Sequence, residues 1–212
     1  LYPDDRRILI GVPGGILVTS NDGKEWLTAV TSREQPQISV LCFSPNFASD
    51  SLAFAATDGD GVFRSISRGN GWDAWNFGLL DLSVLCLALS PNFAQDDLLF
   101  AGTATGLYRS KNGGRAWRYV DLGEEVAVIS LAISPHFAND GLICIGTEDG
   151  QVFRSTDQGR TWQTLGEMAE DWPINAMAIA QTPAGELLPL IATGQGLLAW
   201  RENEQRWQPL AH

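Results

Sequence analysis

The stretch Ser155-Thr156-Asp157-Gln158-Gly159-Arg160-Thr161-Trp162 decides the fold. Its pattern, Ser-x-Asp-x-Gly-x-x-Trp, returns in whole or in part at 19–26, 65–72 and 110–117. Trp26, Trp72, Trp117, Trp162 and Trp207 stand 46, 45, 45 and 45 residues apart. A period that regular marks one supersecondary unit repeated and stacked on its neighbours. The chain is therefore read as five copies of one unit. The fifth copy is degenerate: Trp200, Glu202 and Glu204 occupy the Ser, Asp and Gly places, and only Trp207 keeps the pattern.

The box makes physical sense as a folding element. A Ser hydroxyl and an Asp or Asn side chain accept backbone N–H groups inside a turn. Gly supplies a positive φ that other residues resist. Trp buries a large ring and has an indole N–H to place on a carbonyl. The box residues Ser155, Asp157, Gly159 and Trp162, with Ser110, Asn112, Gly114 and Trp117, and with Trp26 and Trp72, are read as structural.

Each unit reads as four short strands, a to d. In the second unit, 38–43 is apolar, partly β-branched, and stops at Ser44-Pro45. A connecting turn, 46–50, leads to strand b at 51–57. The tight turn Asp58-Gly59-Asp60-Gly61 leads to strand c at 62–65, as in a hairpin. The box follows, and strand d is expected to begin at 75–78. Strand a recurs at 84–89, 128–133 and 174–179; b at 98–103, 142–147 and 188–193; c at 106–110, 151–155 and 196–200. Four-stranded units of about 45 residues read as blades of an all-β propeller. The units are about 1–30, 31–79, 80–121, 122–166 and 167–212, in one domain of residues 1–212. The chain opens at strand b of its first blade, which lacks its innermost strand. Unpaired strand edges are a liability, so residues upstream of Leu1, an imperfect closure or a second copy are expected to cover that edge. Leu1 is not read as a translational start.

Composition narrows the function classes. The net charge is −11, from 25 acids against 14 bases, and such a surface repels a phosphate backbone. No nucleic-acid partner is expected. No apolar run reaches the ~20 residues that cross a bilayer, and no leader is visible. A cytoplasmic protein and an exported one with its leader removed both fit. Cys42, Cys86 and Cys144 are an odd number with no CxxC, against a disulfide framework or a zinc site. They are read as buried thiols. With only His136 and His212 as histidines, no metal site and no cofactor are expected.

The boxes at 19–26, 65–72, 110–117 and 155–162 resemble those of the Asp-box, or BNR-repeat, family of β-propellers. Its members include sialidases, the sortilin luminal domain, xyloglucan-cleaving glycosidases and propeller-type assembly factors of photosystem II. The resemblance covers the whole chain and implies the fold. It implies that the box is structural and lies away from the ligand face. A sialidase would need clustered Arg and a Tyr nucleophile; Tyr2, Tyr108 and Tyr119 lie elsewhere, and no Phe/Tyr-Arg-Ile-Pro signature occurs.

Propeller topology sorts the charges. Turns b–c and d–a lie at one end, turns a–b and c–d with the boxes at the other. The first end takes Glu34, Asp58, Asp60, Asp81, Asp121, Glu124, Glu125, Glu148, Asp149, Glu167, Glu170 and Asp171, against one base, Arg33. Acids and bases elsewhere balance. This end is either a solvated acidic rim or a docking face for a basic protein or a divalent cation. The partner-binding candidates are Asp58, Asp60, Asp81, Glu124, Glu125, Glu148, Asp149, Asp171 and Trp172. Arg64, Arg109 and Arg154 each precede the box Ser. They are read as pairing with a neighbouring blade's turn or covering apolar surface, rather than as an anion-binding ring.

No catalytic constellation is evident, although Asp60 with Asp81, or Asp149 with Asp171, leaves a paired-carboxylate glycosidase open. The chain is thus read as a non-enzymatic interaction or scaffold propeller docking a partner through an acidic face. The alternative is an extracellular carbohydrate-binding or glycoside-hydrolase-like propeller, with Trp172 as its one candidate stacking residue.

Overall fold

The computed structural model describes residues 6–31, 36–166 and 172–210. The first sheet holds three strands, β1 (Ile8–Val12), β2 (Gly15–Thr19) and β3 (Leu27–Thr28). These are strands b, c and d, so the missing innermost strand is as expected. A two-residue strand, β4 (Val30–Thr31), leads on to the second blade: β5 (Ile38–Phe43), α1 (Phe47–Asp50), β6 (Ala53–Thr57), β7 (Gly61–Ser65) and β8 (Gly71–Ala74). The third has β9 (Val84–Leu89), α2 (Phe93–Asp96), β10 (Leu99–Thr103), β11 (Gly106–Ser110) and β12 (Arg118–Val120). The fourth has β13 (Val128–Ile133), α3 (Phe137–Asp140), β14 (Ile143–Thr147), β15 (Val152–Ser155) and β16 (Gln163–Thr164). The fifth has β17 (Ala176–Gln181), β18 (Leu187–Thr193), β19 (Gly196–Arg201) and β20 (Arg206–Pro209). Consecutive strands of each blade pair in sequence order, antiparallel where their registers are recorded. Strand β4 adds a fifth strand to the second blade, parallel to β8 through Val30↔Gly71 and Thr31↔Trp72.

Two expectations are corrected. Strand d begins one position before the box Trp in blade two, at Gly71, and has ended by 75–78. The reason is local: the Asn76 side chain takes over the ladder there, its Oδ1 accepting the Val62 N–H at 2.8 Å. The a–b connections of blades two to four, expected as turns, are single helical turns. In α1, α2 and α3, Phe47, Phe93 and Phe137 are essentially fully buried. Each turn is tied by its own Ser and Asp. Ser44 Oγ donates to Asp50 at 2.5 Å, Ser90 to Asp96 at 2.6 Å and Ser134 to Asp140 at 2.6 Å. The other oxygen of each Asp accepts the N–H of Leu52, Leu98 or Leu142.

The chain divides into two compact units, Leu1–Ala101 with Tyr108–Tyr119, and Gly102–Leu107 with Val120–His212. In the first, one core gathers Ile16, Val18, Phe47, Ala55, Phe63 and Trp72. A second gathers Phe54, Val62, Leu79, Val84, Phe93, Leu99 and Trp117. In the second unit the core gathers Cys144, Val152, Leu165, Ile174, Ile191 and Trp200. The b strands supply the most buried positions: β6, β10 and β14 are buried at every residue, as strands covered on both faces must be.

Blades are stapled to their neighbours within each unit. Ser39 Oγ donates to the Val84 carbonyl at 2.6 Å, and Ser130 Oγ to the Ile174 carbonyl at 2.6 Å. The Trp117 indole N–H donates to the Trp75 carbonyl and that of Trp207 to the Leu165 carbonyl, both at 2.9 Å. Trp72 instead bonds the Gly69 carbonyl of its own box. Trp26 remains 37% exposed, folding over its own Gly23; no blade precedes it among the described residues.

Candidate functional site

The box ends are closed upon themselves. In blade four, Ser155 Oγ accepts the N–H groups of Asp157 and Gly159 and donates to Asp157 Oδ1 at 2.8 Å. Asp157 also accepts the N–H groups of Arg160 and Thr161, each at 2.9 Å, and the Thr161 hydroxyl at 2.7 Å. Partial burial opposes its charge, but the hydrogen bonds from Thr161, Ser155 and Arg160 outweigh it and hold the carboxyl far below the usual range. The same plan recurs with Thr19 and Asn21, with Ser65 and Ser67, and with Ser110 and Asn112. In each, the Ser or Thr hydroxyl and the side-chain oxygen two places on accept N–H groups of their own turn.

The fifth blade departs from this plan. Trp200, at the Ser place, is buried and donates its indole N–H to Glu202 at 2.6 Å. Glu202 also takes Arg154 of the preceding blade at 2.9 Å. The bond from Trp200, together with Arg154 and Gln205, pulls the Glu202 carboxyl down against a smaller opposing effect of burial. With no helical turn on its a–b connection, this blade keeps a cleft of about 420 Å³ beside Leu187, Leu188, Trp200, Glu202 and Glu204.

The repeated Arg residues serve different ends. Arg154 pairs with the next blade's turn, as expected. Arg64 lies 4.3 Å from the Trp75 ring, and burial, with Arg115 nearby, lowers its pKa. Arg109 lines a cleft of about 310 Å³ with Lys111, Asn112, Ala116 and Arg118. Cys144 is fully buried and Cys42 and Cys86 half-buried. Burial pushes the Cys42 and Cys144 thiols up to about 12.

At the opposite ends of the blades, turns and loops are laced together. In the first unit, turn 57–61 meets loop 75–84. The N–H groups of Gly59 and Gly61 both donate to the Leu82 carbonyl, at 3.1 and 2.9 Å. Asp58 Oδ1 accepts the Ser83 hydroxyl at 2.6 Å, and Asp81 Oδ1 accepts the Ser83 N–H at 2.9 Å. Asn76 Nδ2 donates to the Asp60 carbonyl at 2.9 Å. Asp58, Asp60 and Asp81 therefore belong to one tied structure, with Asp58 exposed and the other two half-buried.

In the second unit, loop 121–127 meets turn 147–150 where the Glu148 N–H donates to the Ala127 carbonyl at 3.0 Å. Glu124, Glu125, Glu148 and Asp149 are all exposed. Asp121 Oδ1 caps the Gly123 N–H. Trp172 is half-buried, its ring within 3.3 Å of where a Cβ on Gly194 would sit. Asp171, with Glu34, Glu167, Glu170 and Arg33, lies outside the described residues. Among the described residues no three His, Cys, Asp or Glu side chains converge as metal ligands. No helix there is long and apolar enough to cross a membrane.

Sequence reasoning missed Phe77 and Leu80. They are 81% and 86% exposed on loop 75–84. Phe77 falls within the stretch read as strand d and Leu80 just beyond it, whereas the strand ends at Ala74 and Asn76 bonds Val62 and Asp60.

Comparison with known proteins follows the strand plan. No curated protein matches the chain in sequence. Among solved structures, an ancestral GH74 enzyme superposes with a TM-score of 0.69 at 22% identity, over 84% of this chain and 24% of its own. The extracellular domain of a one-component system from B. thetaiotaomicron gives 0.73 at 17% identity, over 100% and 27%. YCF48 bound to D1 peptide gives 0.65 at 17%, over 98% and 64%. The chain thus spans about a quarter of the first two and under two-thirds of the third, and the likeness is one of fold. Residues 9–184 match the DUF6242 beta propeller domain, and the chain belongs to that family of β-propellers.

Proposed function

We propose that this domain is a non-enzymatic docking module, an Asp-box propeller that receives a basic protein partner at the acidic turn ends of its blades. The observation that carries the reading is the pair of tied turn–loop structures. One presents Asp58, Asp60 and Asp81; the other presents Asp121, Glu124, Glu125, Glu148 and Asp149. No Lys or Arg occurs in residues 57–61, 75–84, 121–127 or 147–151. Acids held in place on tied turns and loops steer and orient a cationic partner. That a likened propeller, YCF48, is solved with a peptide bound supports a peptide or protein as the occupant. The self-satisfied boxes support placing function away from them.

Polylysine serves as the probe. The chain should bind it at low ionic strength and release it as salt shortens the screening length from ~10 Å at 0.1 M to ~3 Å at 1 M. Asn or Gln at Asp58, Asp81, Glu148 and Asp149 should weaken binding, with the thermal unfolding transition retained. Binding that ignores both salt and these substitutions overturns the reading.

A further inference from the structure

We propose that loop 75–84 of the second blade is an anchor for a cationic protein segment that carries apolar side chains between its Lys or Arg residues, with Phe77 and Leu80 taking the apolar ones. The inference rests on the docking function proposed above. It adds the blade that makes the contact and the chemistry of the partner.

Scattered exposed apolar residues are ordinary, but this pair is held outward by its surroundings. Phe77 and Leu80 are the two most exposed large hydrophobic residues among those described. Between them Leu79 is 5% exposed and packs in the core with Val62, Val84 and Trp117. The Phe77 carbonyl accepts the Trp117 N–H at 2.8 Å, and the Leu79 N–H donates to the Asn76 carbonyl at 2.9 Å. Gly78 has φ +80°, and a Cβ there would sit 2.4 Å from the Trp117 carbonyl oxygen. Asn76 is held at both ends by Val62 and Asp60. The backbone is therefore fixed on both sides of each side chain. Little ordering remains to oppose binding.

Charge selects the occupant. Asp81 follows Leu80 directly, and Ser83 brings Asp58 to the same loop. Arg64 and Arg115 lie over the Trp75 ring, at 4.3 and 5.7 Å. An apolar pair beside such acids disfavours an anionic lipid surface, and a second copy docked symmetrically would set acid against acid. A segment mixing Lys or Arg with Leu or Phe satisfies both features.

The experiment uses the full chain and two synthetic peptides of equal length and charge, one of Lys and Leu, the other of Lys and Ser, read by fluorescence anisotropy. The Lys/Leu peptide should bind about tenfold more tightly, as expected where a few apolar anchors dominate. Phe77→Ser with Leu80→Ser should bring its affinity to that of the Lys/Ser peptide and leave Lys/Ser binding unchanged. Asp58→Asn with Asp81→Asn should weaken both. Phe77→Ala alone should lower only Lys/Leu binding, and a retained circular-dichroism spectrum keeps each comparison interpretable. If the Lys/Leu preference persists in the Phe77/Leu80 variant, the anchor assignment fails while the docking function stands. If neither peptide binds, the docking function fails and the anchor with it; if the Asp variants bind as the wild type does, the choice of a cationic partner at this loop fails. Phe77/Leu80-dependent sedimentation with neutral phosphatidylcholine vesicles would make the loop a membrane contact and overturn the proposal.

Discussion

The fourth and fifth blades reach the same turn by different physics. In blade four the c–d turn is closed by Ser155, Asp157 and Thr161 within eight residues of chain. In blade five the corresponding segment has lost Ser, Asp and Gly. Its turn is closed by other bonds, from the buried Trp200 and from Gln205 to Glu202, and Glu202 also reaches across to Arg154. A local hydrogen-bonded turn forms at small entropic cost. The added ion pair from Glu202 to Arg154 forms only once the preceding blade is in place. Blade five thus makes the same turn without the box residues, through other side chains and one contact to the preceding blade.

Substitutions sharpen this contrast, and the largest effect belongs to blade five. Trp200→Ala should cost about 3–5 kcal/mol, the range for truncating a buried aromatic residue, and lower the denaturant midpoint accordingly. Ser155→Ala, at the matching place in blade four, should cost about 1–3 kcal/mol, because it removes the hydroxyl that accepts the buried Gly159 N–H. Equal losses at the two sites would erase the distinction. Asp157→Asn should cost under about 1 kcal/mol at neutral pH, since Asn21 and Asn112 fill the same place in other boxes.

The Asp157 effect depends on pH. Its folded carboxyl lies below its unfolded value of ~3.9. Its contribution is therefore present above that value and is lost as pH falls toward the folded pKa. In the Asn variant, acid unfolding below about pH 4 should be less steep. The smallest effect is expected at the exposed ion pair. Glu202→Gln should cost about 0.2–1 kcal/mol, with most of the loss reproduced by 1 M salt in the wild type. Salt should leave the Ser155→Ala difference unchanged.

Much of the fold is legible in the sequence because the Trp period and the Ser-Pro breaks are local signals. Strand a of blades two to four and strand c of blade three fall where the pattern places them. Strand d does not. Its limit is set by Asn76, fourteen residues along from the Val62 N–H it takes, and no periodicity records such a side-chain bond. The helical turns were hidden for a related reason. Four residues are too few for a helical period, and the burial of Phe47, Phe93 and Phe137 is tertiary. At the candidate site, the acids were legible as turn residues, whereas their lacing through Ser83 and Leu82 was not. Phe77 and Leu80 show the limit most plainly: nothing in the sequence distinguishes them from the buried Leu79 between them.

The staples between blades have a consequence for synthesis. Each indole bond spans 42 residues, and the serine bonds span 45 and 44. Loop closure grows only with the logarithm of length, so these joints impose nearly the same delay at each. A nascent chain can thus set each such joint about one repeat after the earlier of its two partners has left the ribosome, without waiting for distant sequence. Growth proceeds vectorially, and a stalled or slowly translated repeat exposes one edge at a time rather than the whole core.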